Sequence, residues 1–135
     1  MDYDRYRQDD GQLPVWAEDL KKLEKYVLDA LQYTGGTHTL QDIADGLSKN
    51  TMQLWPGLNS AVVTEVTITP QQKILHYFLA GGNLKELSIM RPLIEEWAKA
   101  QGCTKVTLAG RRGWERTFLK DAGYHPAWYI LSKEL

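Results

Sequence analysis

Three arginines near a tryptophan make residues 110–116, GRRGWER, the segment best suited to binding an anion. The planar guanidinium groups of Arg111, Arg112 and Arg116 can each hold a phosphate or a carboxylate through two parallel hydrogen bonds. If this segment begins an α-helix, Arg112 and Arg116 lie one turn apart and share a side, and the helix N-terminus favours an anion. The turn therefore ranks as the first candidate site.

An alternative interpretation of the same turn needs no ligand. Arg112 or Arg116 pairs with Glu115 or Asp121, and Trp114 fills the core as an apolar plug. The sequence leaves both interpretations open.

A second candidate is the glycine turn in residues 80–87, AGGNLKEL, which follows an apolar segment and precedes a helical pattern. Successive backbone N–H groups at a glycine-rich helix N-terminus can hold a phosphate, and a nearby lysine adds positive charge. The alternative is a plain tight turn whose glycines adopt positive φ. The cofactor-binding candidates in this turn are Gly81, Gly82, Asn83, Leu84 and Lys85.

Other chemistry has little support. Cys103 is the single cysteine, so no internal disulfide can form. No spacing of His, Asp and Glu matches a metal motif, so we predict no metal.

The net charge of −1 divides unevenly, because residues 1–70 carry −5 and residues 71–135 carry +4. The net charge gives no general case for nucleic acid, and the uneven distribution indicates either an anion site in the second half or ordinary surface variation. No apolar run is long enough to span a membrane, and we predict a cytoplasmic protein.

The hydrophobic pattern predicts an α/β fold in the order α-α-β-β-β-α-β-α-β. Residues 1–13 are charged and aperiodic, which predicts a loose N-terminal arm, and residues 14–135 form a single domain. Two helices precede a hairpin of β-branched residues, and ILHYFLA (74–80) is joined to KVTLAG (105–110) through a long helix. We expect those two strands to lie parallel, with a right-handed crossover. A short helix over 112–122 and a last strand, AWYILSKEL (127–135), complete the pattern.

Residues 74–135 resemble the GNAT-type N-acyltransferases. WAKAQGCTKVTLAG resembles that family's passage from helix to strand, and FLKDAGYHP resembles its last helix ending. The chain also resembles small GNAT-like proteins encoded by tailed phages. The resemblance implies a GNAT-like mixed sheet, mostly antiparallel and flanked by helices, and acetyl-CoA or another acyl-CoA as the cofactor if the protein is active.

The sequence departs from the family at its working positions. The family writes its pyrophosphate loop as [QR]-x-x-G-x-[GA], whereas this chain has AGGNLKEL. The family's general-acid tyrosine falls on Leu119, and a leucine cannot protonate a leaving thiolate. Glu65 lies on the strand where some members carry a general-base glutamate, so it is the candidate catalytic residue; its alternative role is a plain solvent-facing side chain.

Three functions remain open from the sequence. The first is a GNAT-like protein with a degenerate acyl-CoA site that acts as a binding or assembly module for a protein or a small anionic ligand. The second is an active acyl-CoA-dependent N-acyltransferase. The third is a nucleic-acid-binding regulator, because TLQDIADGLSKN (39–50) resembles the first helix of a helix-turn-helix, although basic residues are scarce there. Enzyme status and a homo-oligomer are left open.

Overall fold

The computed structural model describes residues 1–110 and 112–135, without the side chains of Arg112 and Glu115. A four-stranded sheet lies between helices on both of its faces. The helices are α1 (Val15–Leu31), α2 (Leu40–Ser48), α3 (Leu84–Ala100) and α4 (Phe118–Asp121), with 3₁₀ turns at Asp4–Tyr6 and Arg112–Arg116; the strands are β1 (Met52–Pro56), β2 (Ser60–Ile68), β3 (Lys73–Gly82) and β4 (Lys105–Leu108).

The first two helices form where the pattern predicts them. In α1 the apolar side chains recur every three or four residues, and Leu20, Leu23 and Val27 are buried along one stripe. The start of α2 is a reciprocal cap, in which the Thr39 hydroxyl accepts from the Asp42 N–H and the Asp42 carboxylate accepts from the Thr39 N–H. These two helices cover one face of the sheet.

The sheet has the order β1-β2-β3-β4. Strands β1, β2 and β3 pair antiparallel, whereas β3 and β4 pair parallel. The parallel register is short and extends from Ile74 opposite Lys105 to Tyr77 opposite Leu108. The predicted parallel neighbours are therefore confirmed, with α3 as the connection between them.

A β-bulge at Phe78 changes which face β3 presents. The register opposes Thr64 to Tyr77 but Val63 to Leu79, so Phe78 is the extra residue. Before the bulge, Leu75 and Tyr77 pack into the core under α3. After it, Phe78 and Leu79 both join the core under α1 and α2. One strand thus supplies side chains to both cores.

Helix α3 is fixed at its first turn to the connection between β1 and β2. Asn83 is its N-cap and accepts from the Glu86 N–H at 2.9 Å. The Glu86 carboxylate accepts backbone N–H groups from Leu58 at 3.1 Å and Asn59 at 2.9 Å. The Asn59 N–H is the main cause that lowers the pKa of Glu86. The helix continues through Pro92 to Ala100.

Two predicted features differ at the ends of the chain. The N-terminal arm is not loose, because Tyr3 is buried in the core and the Tyr6 hydroxyl donates to Asp45 at 2.6 Å. Burial and then the Glu24 carboxylate raise the pKa of Tyr3 to about 12. The last strand is not formed either. Residues 126–135 have no regular structure and are exposed, since no neighbouring strand pairs with them in the described chain.

Two further predictions are corrected in the middle of the chain. The single helix over 112–122 is instead a 3₁₀ turn followed by α4, because the Thr117 side chain caps the Leu119 N–H and starts a new helix. Helix α2 is followed by β1 and not by a recognition helix, so the helix-turn-helix interpretation fails. Across residues 1–110 and 112–135, no helix is long and apolar enough to cross a membrane.

Glu86→Gln should lower the melting temperature at pH 7, because a neutral amide binds the two backbone N–H groups more weakly than a carboxylate. Since the folded-state pKa of Glu86 is lowered, its stabilising effect is present above the unfolded pKa and is lost as pH falls through the folded value. Thermal unfolding of both proteins from pH 7 to pH 3 checks this. A difference that stays constant with pH would contradict the role of the charge.

Candidate ligand-binding cleft

A cleft of about 1090 Å³ opens where β3 and β4 diverge. The parallel pairing ends at Tyr77 and Leu108, but β3 continues to Gly82. One wall is β3 from His76 to Gly82. The opposite wall is the end of β4 and the chain that follows it, namely Leu108, Ala109, Gly110, Gly113, Trp114 and Thr117.

The β3 wall offers main-chain hydrogen-bonding groups. Beyond Tyr77, the groups that point away from β2 face no partner strand in the described chain. Backbone N–H and C=O groups need partners when they are removed from water. An extended ligand with amide groups would supply them in the way that an added strand does.

The two glycines of the predicted phosphate turn have a structural reason to be glycine. A Cβ at Gly81 would overlap the carbonyl oxygen of Tyr26 on α1, and a Cβ at Gly82 would overlap that of Asn59. Gly82 also has a backbone φ of +114°, which residues other than glycine rarely adopt. These glycines let β3 pass close to α1 and to the β1–β2 connection.

Part of the anion site predicted in the glycine turn borders the cleft. Gly81, Gly82 and Leu84 line the cleft, and Leu84 is the first residue of α3. Asn83 uses its side chain as the helix cap, and Lys85 is exposed to solvent. Their role in binding a cofactor stays a prediction.

The arginine-bearing turn also borders the cleft, through Gly113, Trp114 and Thr117. Arg116 is exposed, whereas Arg111 and the side chain of Arg112 lie outside the described structure. The turn is 3₁₀ with three residues per turn, so the α-helical spacing that placed Arg112 and Arg116 on one side does not apply. Trp114 packs partly into the core under α3, as the alternative interpretation expected.

A polar row crosses the sheet, and its middle residue, His76, lines the cleft. Glu65 on β2 is directly opposite His76 on β3, and His76 is directly opposite Thr107 on β4. The Nδ1 atom of His76 and the hydroxyl oxygen of Thr107 are 2.8 Å apart and share a hydrogen bond. Burial lowers the pKa of His76, and the Glu65 carboxylate opposes that effect. The imidazole is therefore neutral at pH 7.

The two tyrosines near the end of the chain, Tyr124 and Tyr129, differ in their surroundings. Tyr124 donates its hydroxyl to Glu95 at 2.7 Å, and Glu95 also pairs with Arg91 at 2.8 Å. Burial, followed by the hydrogen bond to Glu95, raises the pKa of Tyr124 far above its usual value. Tyr129 is exposed in the C-terminal segment, and Leu119 is buried in the core. None of these three is among the described residues that line the cleft.

The end of α1 is a part of the cleft that sequence reasoning missed. Asp29, Tyr33, Thr34 and Thr37 line it from α1 and from the connection to α2. These residues lie 39 to 47 positions before His76, and nothing in their spacing signals a site. Their position depends on how α1 packs across β3, where Gly81 leaves room for the Tyr26 carbonyl.

Comparison with solved structures identifies the fold. A Thermus thermophilus protein has a TM-score of 0.61 at 14% identity, over 87% of this chain and 91% of that one. A Trypanosoma brucei acetyltransferase has a TM-score of 0.61 at 12% identity, over 87% and 94%. A GNAT family acetyltransferase of Staphylococcus aureus has a TM-score of 0.53 at 17% identity, over 87% and 93%. The predicted GNAT-like α/β fold is thus confirmed.

Comparison of the sequence with protein families and with curated proteins assigns no function. The chain matches no family model, and no curated protein matches it. At these identities the structural likeness shows the fold and does not carry a function across. The narrower resemblance to phage proteins stays a prediction.

Gly81→Ala should destabilise the protein by about 1–3 kcal/mol, because the added methyl group meets the main chain of α1. Gly113→Ala is the matched control, since a Cβ there meets nothing within 4 Å and its φ is not positive. Urea unfolding of both variants measures the difference. Equal stability of the two would show that Gly81 does not set the packing of α1 on β3.

Proposed function

We propose that this protein binds an acyl-CoA in the cleft between β3 and β4. The observation that carries the proposal is the divergence of two parallel neighbours, which leaves the main-chain groups of residues 78–82 that point away from β2 without a strand partner, beside a cleft of about 1090 Å³. The resemblance of the fold to acetyltransferases supports the choice of ligand.

The chemistry of CoA suits this cleft. Its pantetheine arm is a narrow chain with two amide groups, which match the main-chain donors and acceptors of an unpaired strand. Its phosphates carry negative charge, and Leu84 at the cleft is the first residue of α3, where the helix macrodipole favours an anion. The second half of the chain is also the basic half, with a net charge of +4.

We further propose that the protein acts as a binding module and does not transfer the acyl group efficiently. Leu119 stands where the resemblance places the general acid, and it is buried. The hydroxyl of Tyr124 is already committed to Glu95. A thioester cleaves slowly when the leaving thiolate receives no proton, since general acid catalysis contributes about 10²–10⁴-fold.

Acetyl-CoA should raise the thermal stability of the protein. At a hundredfold excess over its Kd the ligand stabilises the folded state by about 2.7 kcal/mol. Pantetheine, which has the amides but no phosphates, should bind more weakly and isolates the contribution of β3. Isothermal titration and thermal unfolding measure both ligands. If acetyl-CoA produces neither heat nor a shift, the proposed ligand is wrong.

Leu84→Glu should weaken acetyl-CoA binding at least about tenfold, since it places a carboxylate at the amino end of α3 inside the cleft. The helix should tolerate it, because acidic residues are favourable in the first turn. Ile89→Glu is the matched control, as Ile89 lies on the same helix, is exposed and is not among the lining residues. Equal loss in both variants would mean that the ligand does not lie at this helix end.

A second candidate function is N-acyl transfer with His76 as the base. His76 lines the cleft, and its imidazole is neutral, so it can accept a proton. An amine nitrogen would attack the thioester carbonyl and pass its proton to His76. The carbon–sulfur bond would then break, and the imidazolium would return that proton to the thiolate. Glu65, the predicted catalytic residue, lies directly opposite His76 and would stabilise the imidazolium.

If transfer occurs, His76→Gln should lower kcat by about 10²–10⁴-fold and leave acetyl-CoA binding unchanged. The wild-type rate should stay constant as the pH is lowered from 7 to below 6.5. Burial lowers the pKa of His76, so the imidazole stays neutral and able to accept a proton over that range. His125→Gln, a change in an exposed loop, is the control. Release of free thiol from acetyl-CoA with a panel of amines measures the rate. Undiminished turnover in His76→Gln would remove this candidate.

A further inference from the structure

The C-terminal segment, residues 126–135, combines strong strand propensity with exposure. Trp128, Tyr129, Ile130 and Leu131 form a run of large apolar side chains, each about 70% exposed or more. Aromatic and β-branched residues favour strands. A contiguous exposed apolar patch of this kind marks a contact surface.

The sheet has a complementary open edge at β4, which pairs with β3 on one side and with nothing described on the other. The Thr104 N–H donates to the Lys73 carbonyl of β3 at 2.9 Å. Because main-chain groups alternate along a strand, those of Val106 and Leu108 point to β3 and those of Lys105 and Thr107 point outward. The opposite edge of the sheet is a poorer acceptor, since β1 includes Pro56, which has no N–H.

We propose that the C-terminal segment of one copy of this chain pairs with the β4 edge of a second copy, and the reverse, to form a dimer with two-fold symmetry. Within one chain the C-terminal segment is exposed and does not pair with the sheet. Each molecule therefore presents both an unpaired segment and an open β4 edge. Reciprocal exchange satisfies both halves at once and closes the assembly. An edge strand left open would instead invite uncontrolled association.

The area available is sufficient for such a dimer. Two copies of Trp128 and Tyr129 together bring about 600–1,000 Å² of aromatic side-chain surface to the contact. Ile130 and Leu131 add to this, and specific interfaces begin at about 1,000 Å². Main-chain pairing along β4 would fix the register.

The dimer can be tested by blocking the outward N–H of β4. Lys105→Pro removes a donor on the open side and leaves the bonds to β3, and edge strands tolerate proline. Lys105→Ala is the matched control, because it removes the same charge but keeps the N–H. Light scattering and sedimentation across a dilution series should give twice the 15.4 kDa chain mass for the wild type and Lys105→Ala, and the single-chain mass for Lys105→Pro.

A second pair of variants tests the segment itself. Ile130→Lys should raise the dimer Kd at least about tenfold, whereas Ile68→Lys should not, although the two isoleucines are 72% and 76% exposed. Circular dichroism confirms that each variant is folded. A wild-type monomer at every concentration, which includes pairing of the segment with its own β4, overturns the proposal. A dimer that survives both Lys105→Pro and Ile130→Lys overturns it as well.

Discussion

The early end of the parallel pairing between β3 and β4 is the constraint on which the rest of this structure depends. Four residues of each strand pair, and then β3 continues for five more with β2 as its only partner among the described strands. Hydrogen bonds that a longer ladder would satisfy are left for another partner. The cleft, its main-chain wall and the placement of the arginine-bearing turn opposite the start of α3 all follow from that divergence.

The β-bulge at Phe78 lies where the pairing of β3 with β4 ends, and it lets β3 supply side chains to both cores. A regular strand would send Tyr77 and Leu79 to the same face, but the extra residue sends Tyr77 under α3 and Leu79 under α1 and α2. The bend lets the far half of β3 approach α1, where Gly81 passes the Tyr26 carbonyl without room for a side chain. The same β-bulge therefore affects both the packing of the core and the shape of the cleft. The glycines there are needed for this close packing, so they do not by themselves indicate a phosphate-binding loop.

We propose that the cleft binds an acyl donor and does not transfer the acyl group efficiently. His76 and Glu65 offer a base and a stabilising carboxylate, and Thr107 holds the ring. Leu119, where the resemblance places the general acid, is buried, and the Tyr124 hydroxyl donates to Glu95. In the second candidate function the proton for the thiolate would come from His76, which lines the cleft.

Local pattern was enough to predict most of the elements, because each has a periodicity or a cap that acts within a few residues. The stripe of α1, the Thr39–Asp42 cap and the 17 residues of α3 are of this kind. Where the prediction was wrong, a contact distant in sequence decided the outcome: Tyr3 is held by the core, and residues 126–135 lack the neighbour that their strand propensity requires. The sequence by itself determined the order of the elements from α1 to β4 and the parallel pair. Only the tertiary structure decided that Asp29, His76 and Gly113 share a cleft, because the bulge and the length of a ladder depend on how two cores pack against one strand.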